Sequence, residues 1–302
     1  MAKGTSRINL IDRLSQTMEE QENTSADQGS SLIERAVRSD NSDEPLENEF
    51  AEARIPATKP NLEPPAISSA AWHSSEAQNS IELDLDLMAN AGFLVTEGHR
   101  NKLKEQYRVI KRPLLVNAFQ RPDGTANPHI IMVSSAKPNE GKTFTAINLA
   151  MSIAAEREVK VLLMDGDVIR QDLTRQFGLE DESGYLDLLK GRMDSVSDII
   201  TRTNIPSLAI LPCGSQYEDA TELFASSRMS DLMDDIADRY SDRIIIIDTP
   251  PILATSETQA LAFHAGQSVM VVEAGETTRR QLEEALTLLP SRERLYCVLN
   301  KA

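Results

Sequence analysis

The chain has only two cysteines, Cys213 and Cys297, and both sit in apolar stretches. Two thiols cannot build a disulfide framework or supply zinc-ligand spacing, so they read as small, reduced core residues. No apolar run reaches the about 18 residues a membrane-spanning helix needs. The start also lacks the charged-then-apolar pattern of a secretion signal, and a cytoplasmic protein is the expectation. Positive charge is short too: 31 Lys and Arg stand against 47 Asp and Glu. Phosphate backbones attract clustered Lys and Arg, so no nucleic-acid partner is expected. The acidic excess is concentrated, with 18 acidic and 8 basic side chains in residues 1–100.

Those first residues have little to bury. Residues 6–20 and 31–38 ("SLIERAVR") carry apolar side chains at helical spacing, but each is short for a helix standing alone. Residues 39–80 are rich in Ser, Asn, Glu and Pro, including Pro45, Pro56, Pro60, Pro64 and Pro65. The spacing and composition predict a largely disordered acidic segment over 1–80, with short helical pieces that either stay solvated or dock on a partner.

From residue 81 the pattern changes. A helix is predicted over 99–119. Apolar runs follow at 129–135, 159–165, 208–213, 243–248, 268–274 and 295–300, with helices over 144–157, 221–240 and 277–289 between them. Short, continuously apolar strands alternating with helices predict an α/β domain over 81–302, a mainly parallel sheet with helices on both faces.

Between the first strong strand and its helix lies "SSAKPNEGKT" (134–143). Residues 136–143 fit a phosphate-binding loop, with Ala136 in place of the usual first glycine. Backbone N–H groups there would face phosphates. Gly141 permits close approach, Lys142 would neutralise phosphate charge, and Thr143 would offer a hydroxyl to Mg²⁺. Two later strands end in carboxylates: "VLLMDGD" in Asp165 and Asp167, "RIIIIDTPP" in Asp248. Asp also terminates strands simply because it suits turns. Three such residues in order behind a phosphate loop point instead to a Mg·nucleotide site.

These segments resemble the bacterial tyrosine kinases of exopolysaccharide and capsule synthesis, deviant P-loop ATPases related to the Min and Par positioning ATPases. The resemblance covers residues 99–302. It rests on "SSAKPNEGKTFTAINLA", "VLLMDGDVIRQDLTRQFGL", "LPCGSQYEDATELFASSRMSDLM" and "IIIIDTPPIL". "SLIERAVR" and "YRVIKRPLL" are most similar to the exosortase-linked kinases. The resemblance implies tyrosine autophosphorylation by ATP with Mg²⁺, governing polysaccharide chain length or export. It implies that Lys137, Pro138, Asn139, Glu140, Gly141, Lys142, Thr143 and Phe144 cradle the phosphates, and that Thr143, Asp165 and Asp248 hold Mg²⁺. Lys142, Asp165 and Asp167 would be catalytic, one of the two Asp acting as general base. Glu105, Arg108 and Lys111 resemble the family's E-x-x-R-x-x-R oligomerisation motif, with Lys in the last place losing the bidentate fork of Arg. The alternative there is an ordinary solvated face. Implied partners are further copies of the chain, a protein tyrosine substrate and a membrane-embedded polysaccharide chain-length protein, which would recruit it to the inner face of the plasma membrane.

Two departures bear on function. The family commonly ends in a tail of clustered tyrosines, whereas this chain stops after "LYCVLNKA" and its five tyrosines are scattered. Either the chain is shortened, the acceptor lies on another protein, or the protein is a nucleotide-switched regulatory ATPase without kinase activity. Lys137 stands where Min and Par ATPases carry a lysine that reaches the partner subunit's nucleotide; an exposed loop lysine is the alternative.

Overall fold

The computed structural model describes residues 79–95, 101–120, 126–290 and 294–302. The acidic segment expected over 1–80, with its helical pieces, lies outside them except for its last two residues.

In chain order the elements are β1 (Ser80–Ile81), α1 (Leu85–Ala91), α2 (Asn101–Gln120), β2 (Ile130–Ser135), α3 (Lys142–Ala154), β3 (Val161–Asp165), α4 (Asp172–Gln176), α5 (Tyr185–Leu189) and α6 (Val196–Ile199). Then come β4 (Thr201–Thr203), β5 (Leu208–Leu211), α7 (Ala220–Phe224), α8 (Ser227–Arg239), β6 (Ile244–Asp248), α9 (Glu257–Ala262), β7 (Gln267–Glu273), α10 (Arg279–Thr287) and β8 (Arg294–Asn300). The eight strands form one sheet in the order β1-β4-β5-β3-β6-β2-β7-β8. Every pairing is parallel except β4 with β5.

The strands read as unbroken apolar runs because both faces of the sheet are covered. Successive side chains point to opposite faces. Ile130, Met132, Leu162, Met164, Ile245 and Ile247 therefore enter one core, where α5, α8, α9 and α10 close over them. Ile131, Val133, Val161, Leu163, Ile244 and Ile246 enter the other, under α1, α2 and α3. Helix α3 is buried along nearly its whole length, which fixes the phosphate loop at its start.

All six strands and the α2, α3 and α10 helices expected from sequence are present, with ends shifted by a few residues. The single helix expected over 221–240 is two, α7 and α8. Ser226 between them is extended (φ −80°, ψ 159°), and its hydroxyl bonds the Leu223 carbonyl at 2.5 Å. A serine that satisfies a preceding carbonyl competes with the helix it interrupts.

The order β3-β6-β2 sets the C-terminal ends of three strands side by side. Asp165 pairs in register with Asp248, and Val133 with Asp248 on its other side. Open parallel sheets bind ligands at this edge.

Candidate active site

The loop between β2 and α3 turns on two left-handed residues, Asn139 (φ 69°) and Gly141 (φ 93°). A side chain at Gly141 has no room: its Cβ would lie 2.1 Å from Nδ2 of Asn300. Gly141 caps α3 without a side-chain bond, which leaves the helix's first N–H groups and the positive end of its dipole facing outward. That is an anion-binding arrangement.

The loop is pinned from behind. Glu140, fully buried, accepts the Lys137 N–H at 2.8 Å and, on its other oxygen, the Thr277 hydroxyl. Asn300 donates to the Glu140 carbonyl at 2.9 Å and Lys301 to the Asn139 carbonyl at 2.8 Å. The Lys137 ammonium donates to the Glu276 carbonyl at 2.7 Å within the same chain. Pro138 and Asn139 form the exposed tip.

Opposite the loop stand the carboxylates. Asp165 is fully engaged: Oδ1 accepts the Asp167 N–H at 3.1 Å, and Oδ2 accepts the Thr174 N–H at 2.8 Å and hydroxyl at 2.7 Å. Asp167 accepts the Arg170 N–H on Oδ1 at 3.0 Å. Its Oδ2 has no hydrogen bond and lies 3.4 Å from the buried Lys142 ammonium. The same ammonium lies 3.4 Å from the Thr143 hydroxyl. Asp248 is wholly buried, and neither of its oxygens has a hydrogen-bond partner.

Burial raises the Asp248 carboxyl to about 7, opposed by the Lys142 charge and the nearby Thr143 hydroxyl. Burial likewise raises Asp165 to about 6, opposed by the Thr174 bonds. An orphaned, buried carboxylate beside a lysine and a threonine fits a cation. No group of three or more His, Cys, Asp or Glu side chains forms a metal cage among the described residues. The donor set therefore fits a hard cation that brings phosphate and water ligands with it, as Mg²⁺ does.

Not all the expected residues meet here. The Phe144 ring turns away and packs on Phe93, with centroids 5.3 Å apart. Glu105 and Arg108 form an exposed 3.4 Å ion pair on α2. Lys111 is buried instead, reaching the Ser152 carbonyl at 2.5 Å and Glu156 at 2.6 Å, so it ties α2 to the end of α3. Sequence reasoning missed Thr174, Thr277, Asn300 and Lys301. Only the Asn300–Lys301 pair carried a signal, its place at the end of a strand aimed at the ligand edge.

A glycine-bent loop facing strand-end carboxylates on a parallel sheet defines a P-loop nucleotide-binding protein. The AAA domain family matches residues 128–291. The chain is 33% identical over 181 residues to the tyrosine-protein kinase YwqD of Bacillus subtilis, covering 60% of this chain and 73% of that protein. It is 29% identical over 162 residues to the tyrosine-protein kinase ptk of Acinetobacter johnsonii, covering 54% of this chain and spanning only 22% of that longer protein. The solved kinase domain of VpsO superposes with a TM-score of 0.56 at 29% identity, covering 66% of this chain and 96% of that one. The chain belongs to the AAA domain family and, within it, to the bacterial tyrosine kinases.

Proposed function

We propose that this chain is an ATP-dependent protein-tyrosine kinase that phosphorylates copies of itself and regulates exopolysaccharide or capsule synthesis. The observation that carries this reading is Asp248, buried and unpartnered beside Lys142 and Thr143. Thr143 and Asp248 would hold Mg²⁺, which when bound with ATP supplies charge neutralisation across the β- and γ-phosphates. Lys142 and the N–H groups from 139 to 144 hold and orient the phosphates. Asp167 is the better-placed general base, since its Oδ2 accepts no hydrogen bond while both oxygens of Asp165 are taken. Asp165 then acts as a positioning residue, holding the Asp167 backbone through its N–H. A cavity of about 530 Å³ opens beside Thr143, with Phe93, Phe144 and Arg175 in its walls, and offers the acceptor ring a route in.

Residues 81–302 form the kinase unit in this reading, and Asn79 and Ser80 join it by pairing with β4. Glu105 and Arg108, exposed on α2 with Val109 61% exposed next to Arg108, support self-association. No helix among the described residues is long and apolar enough to cross a membrane, which suits recruitment by a membrane-embedded chain-length protein.

The second reading is a nucleotide-switched regulatory ATPase. It is favoured by the tyrosines, none of which is exposed. Transfer of labelled γ-phosphate to a synthetic Glu–Tyr polymer separates the two. The kinase labels the polymer, and Lys142→Met lowers that by two orders of magnitude or more, about the loss of one key charge-stabilising donor. ATP hydrolysis with no labelled tyrosine on any acceptor would favour the switch.

A further inference from the structure

The five tyrosines are not equivalent. Tyr107, Tyr185 and Tyr240 are buried, and the Tyr296 hydroxyl meets the Asn117 amide beneath α2. Tyr217 is half-buried, on the irregular segment between β5 and α7. Its hydroxyl donates to Oδ1 of Asp187 at 2.6 Å. Two cations flank its ring: the Lys190 ammonium lies 5.3 Å and the Arg192 guanidinium 5.1 Å from the centroid.

Its position also matters. The segment leaves β5 at the edge that carries the phosphate loop. The Cys213 N–H donates to the Thr174 hydroxyl at 3.4 Å, and the Gln171 amide donates to the Gly214 carbonyl at 3.5 Å. It therefore packs on the turn that carries Asp165 and Asp167. A bland explanation exists, because Asp187 also accepts the Gly184 and Ser215 N–H groups at 2.9 and 3.0 Å and so pins the loop. Lys190 also pairs with the partly exposed Asp219 carboxylate at 2.5 Å, a contact that adds little stability, and Arg192 lies over the ring. A phosphate on the ring would draw both, since paired cations are what hold a phosphotyrosine dianion.

We propose that Tyr217 is a phosphoacceptor of this chain, with Lys190 and Arg192 binding the phosphate once it is attached. The proposal rests on the kinase reading above. The donor is a second copy: within its own copy the Tyr217 hydroxyl is held by Asp187, which is itself tied to Gly184 and Ser215. The Tyr217 oxygen attacks the γ-phosphorus of ATP, the new O–P bond forms as the bond to the β,γ-bridging oxygen breaks, and ADP leaves. The phenolic proton passes to Asp167 of the donor copy, the base assigned above, and then to water. The product sets a dianion against the Asp187 carboxylate. Their repulsion loosens the Gly184–Asp187–Ser215 pin, so the modification reports to the turn that holds Asp165.

The test uses the full chain, Mg·ATP and the Glu–Tyr polymer as an independent acceptor, read by phosphopeptide mass spectrometry. Wild type carries phosphate on Tyr217. Tyr217→Phe loses that phosphopeptide and still labels the polymer. A Lys190→Ala, Arg192→Ala double variant lowers Tyr217 occupancy severalfold with polymer labelling unchanged. A Lys142→Met copy mixed with wild type gains phosphate at Tyr217, as transfer between copies requires. A labelled polymer with Tyr217 unmodified overturns the proposal alone. No label on polymer or chain overturns the kinase reading, and the proposal with it.

Discussion

Burying Asp165 and Asp248 in register, at adjacent strand ends, ties both stability and ligand binding to pH. Both carboxyls titrate above the ordinary carboxylate range, at about 6 and about 7, because burial disfavours their charged forms. The folded chain therefore binds more protons than the unfolded one between about pH 4 and 7. Their stabilising contribution is complete below that window and is lost as pH rises through the folded values. Ligand-free protein is expected to melt at a lower temperature at pH 8 than at pH 5, and Asp248→Asn to flatten the difference. Equal slopes for variant and wild type in a thermal scan would contradict this. Thr174 is the other residue-scale lever. Thr174→Val keeps the shape but removes a hydroxyl donor from the buried Asp165, which costs about 1–3 kcal/mol of unfolding free energy, measurable by denaturant titration. Phosphate-loop residues and strand-end carboxylates were legible in the sequence because their spacing to a strand is fixed. Thr174 was not, since its partnership with Asp165 arises from how a short turn folds back, and nothing in the spacing marks it.

At the scale of elements, the main strands were legible because a strand buried on both faces leaves a continuous apolar run. β1 and β4 were not: "SI" and "TRT" are too short and polar to show a period. They depend on each other and on Asn204, whose side chain exchanges bonds with both backbone groups of Leu83 at 3.1 Å. The segment before the matched family domain is thus built into the fold. Its Leu94 N–H donates at 2.7 Å to Asn148, whose amide in turn holds the Phe144 carbonyl at 2.9 Å in the first turn of α3. Asn148→Ala leaves a buried donor unmatched and is expected to destabilise the protein by about 1–3 kcal/mol. It should also weaken nucleotide binding, because it loosens the helix start that faces the phosphates. Unchanged nucleotide affinity would restrict Asn148 to a purely structural role.

For the whole molecule, α2 divides its three motif residues between two tasks. Lys111 holds the helix to α3, whereas Glu105 and Arg108 face outward. Spacing of i, i+3 and i+6 puts all three on roughly one helical face, yet the Lys111 ammonium is drawn inward to the Ser152 carbonyl and Glu156. Glu105→Ala with Arg108→Ala is expected to weaken self-association in sedimentation experiments and leave the melting temperature nearly unchanged, because exposed ion pairs add little stability. Lys111→Ala should do the reverse. If both lower the melting temperature equally, the outward pair is structural after all.

The most direct measurement is a calorimetric titration of ATP into wild type and Asp248→Asn, with and without Mg²⁺. A site in which Asp248 helps to hold the cation predicts that Mg²⁺ tightens ATP binding to wild type by about tenfold or more, the equivalent of about 1.4 kcal/mol. It also predicts that the variant loses this gain while keeping its Mg²⁺-free affinity. An identical Mg²⁺ gain in both proteins would contradict it.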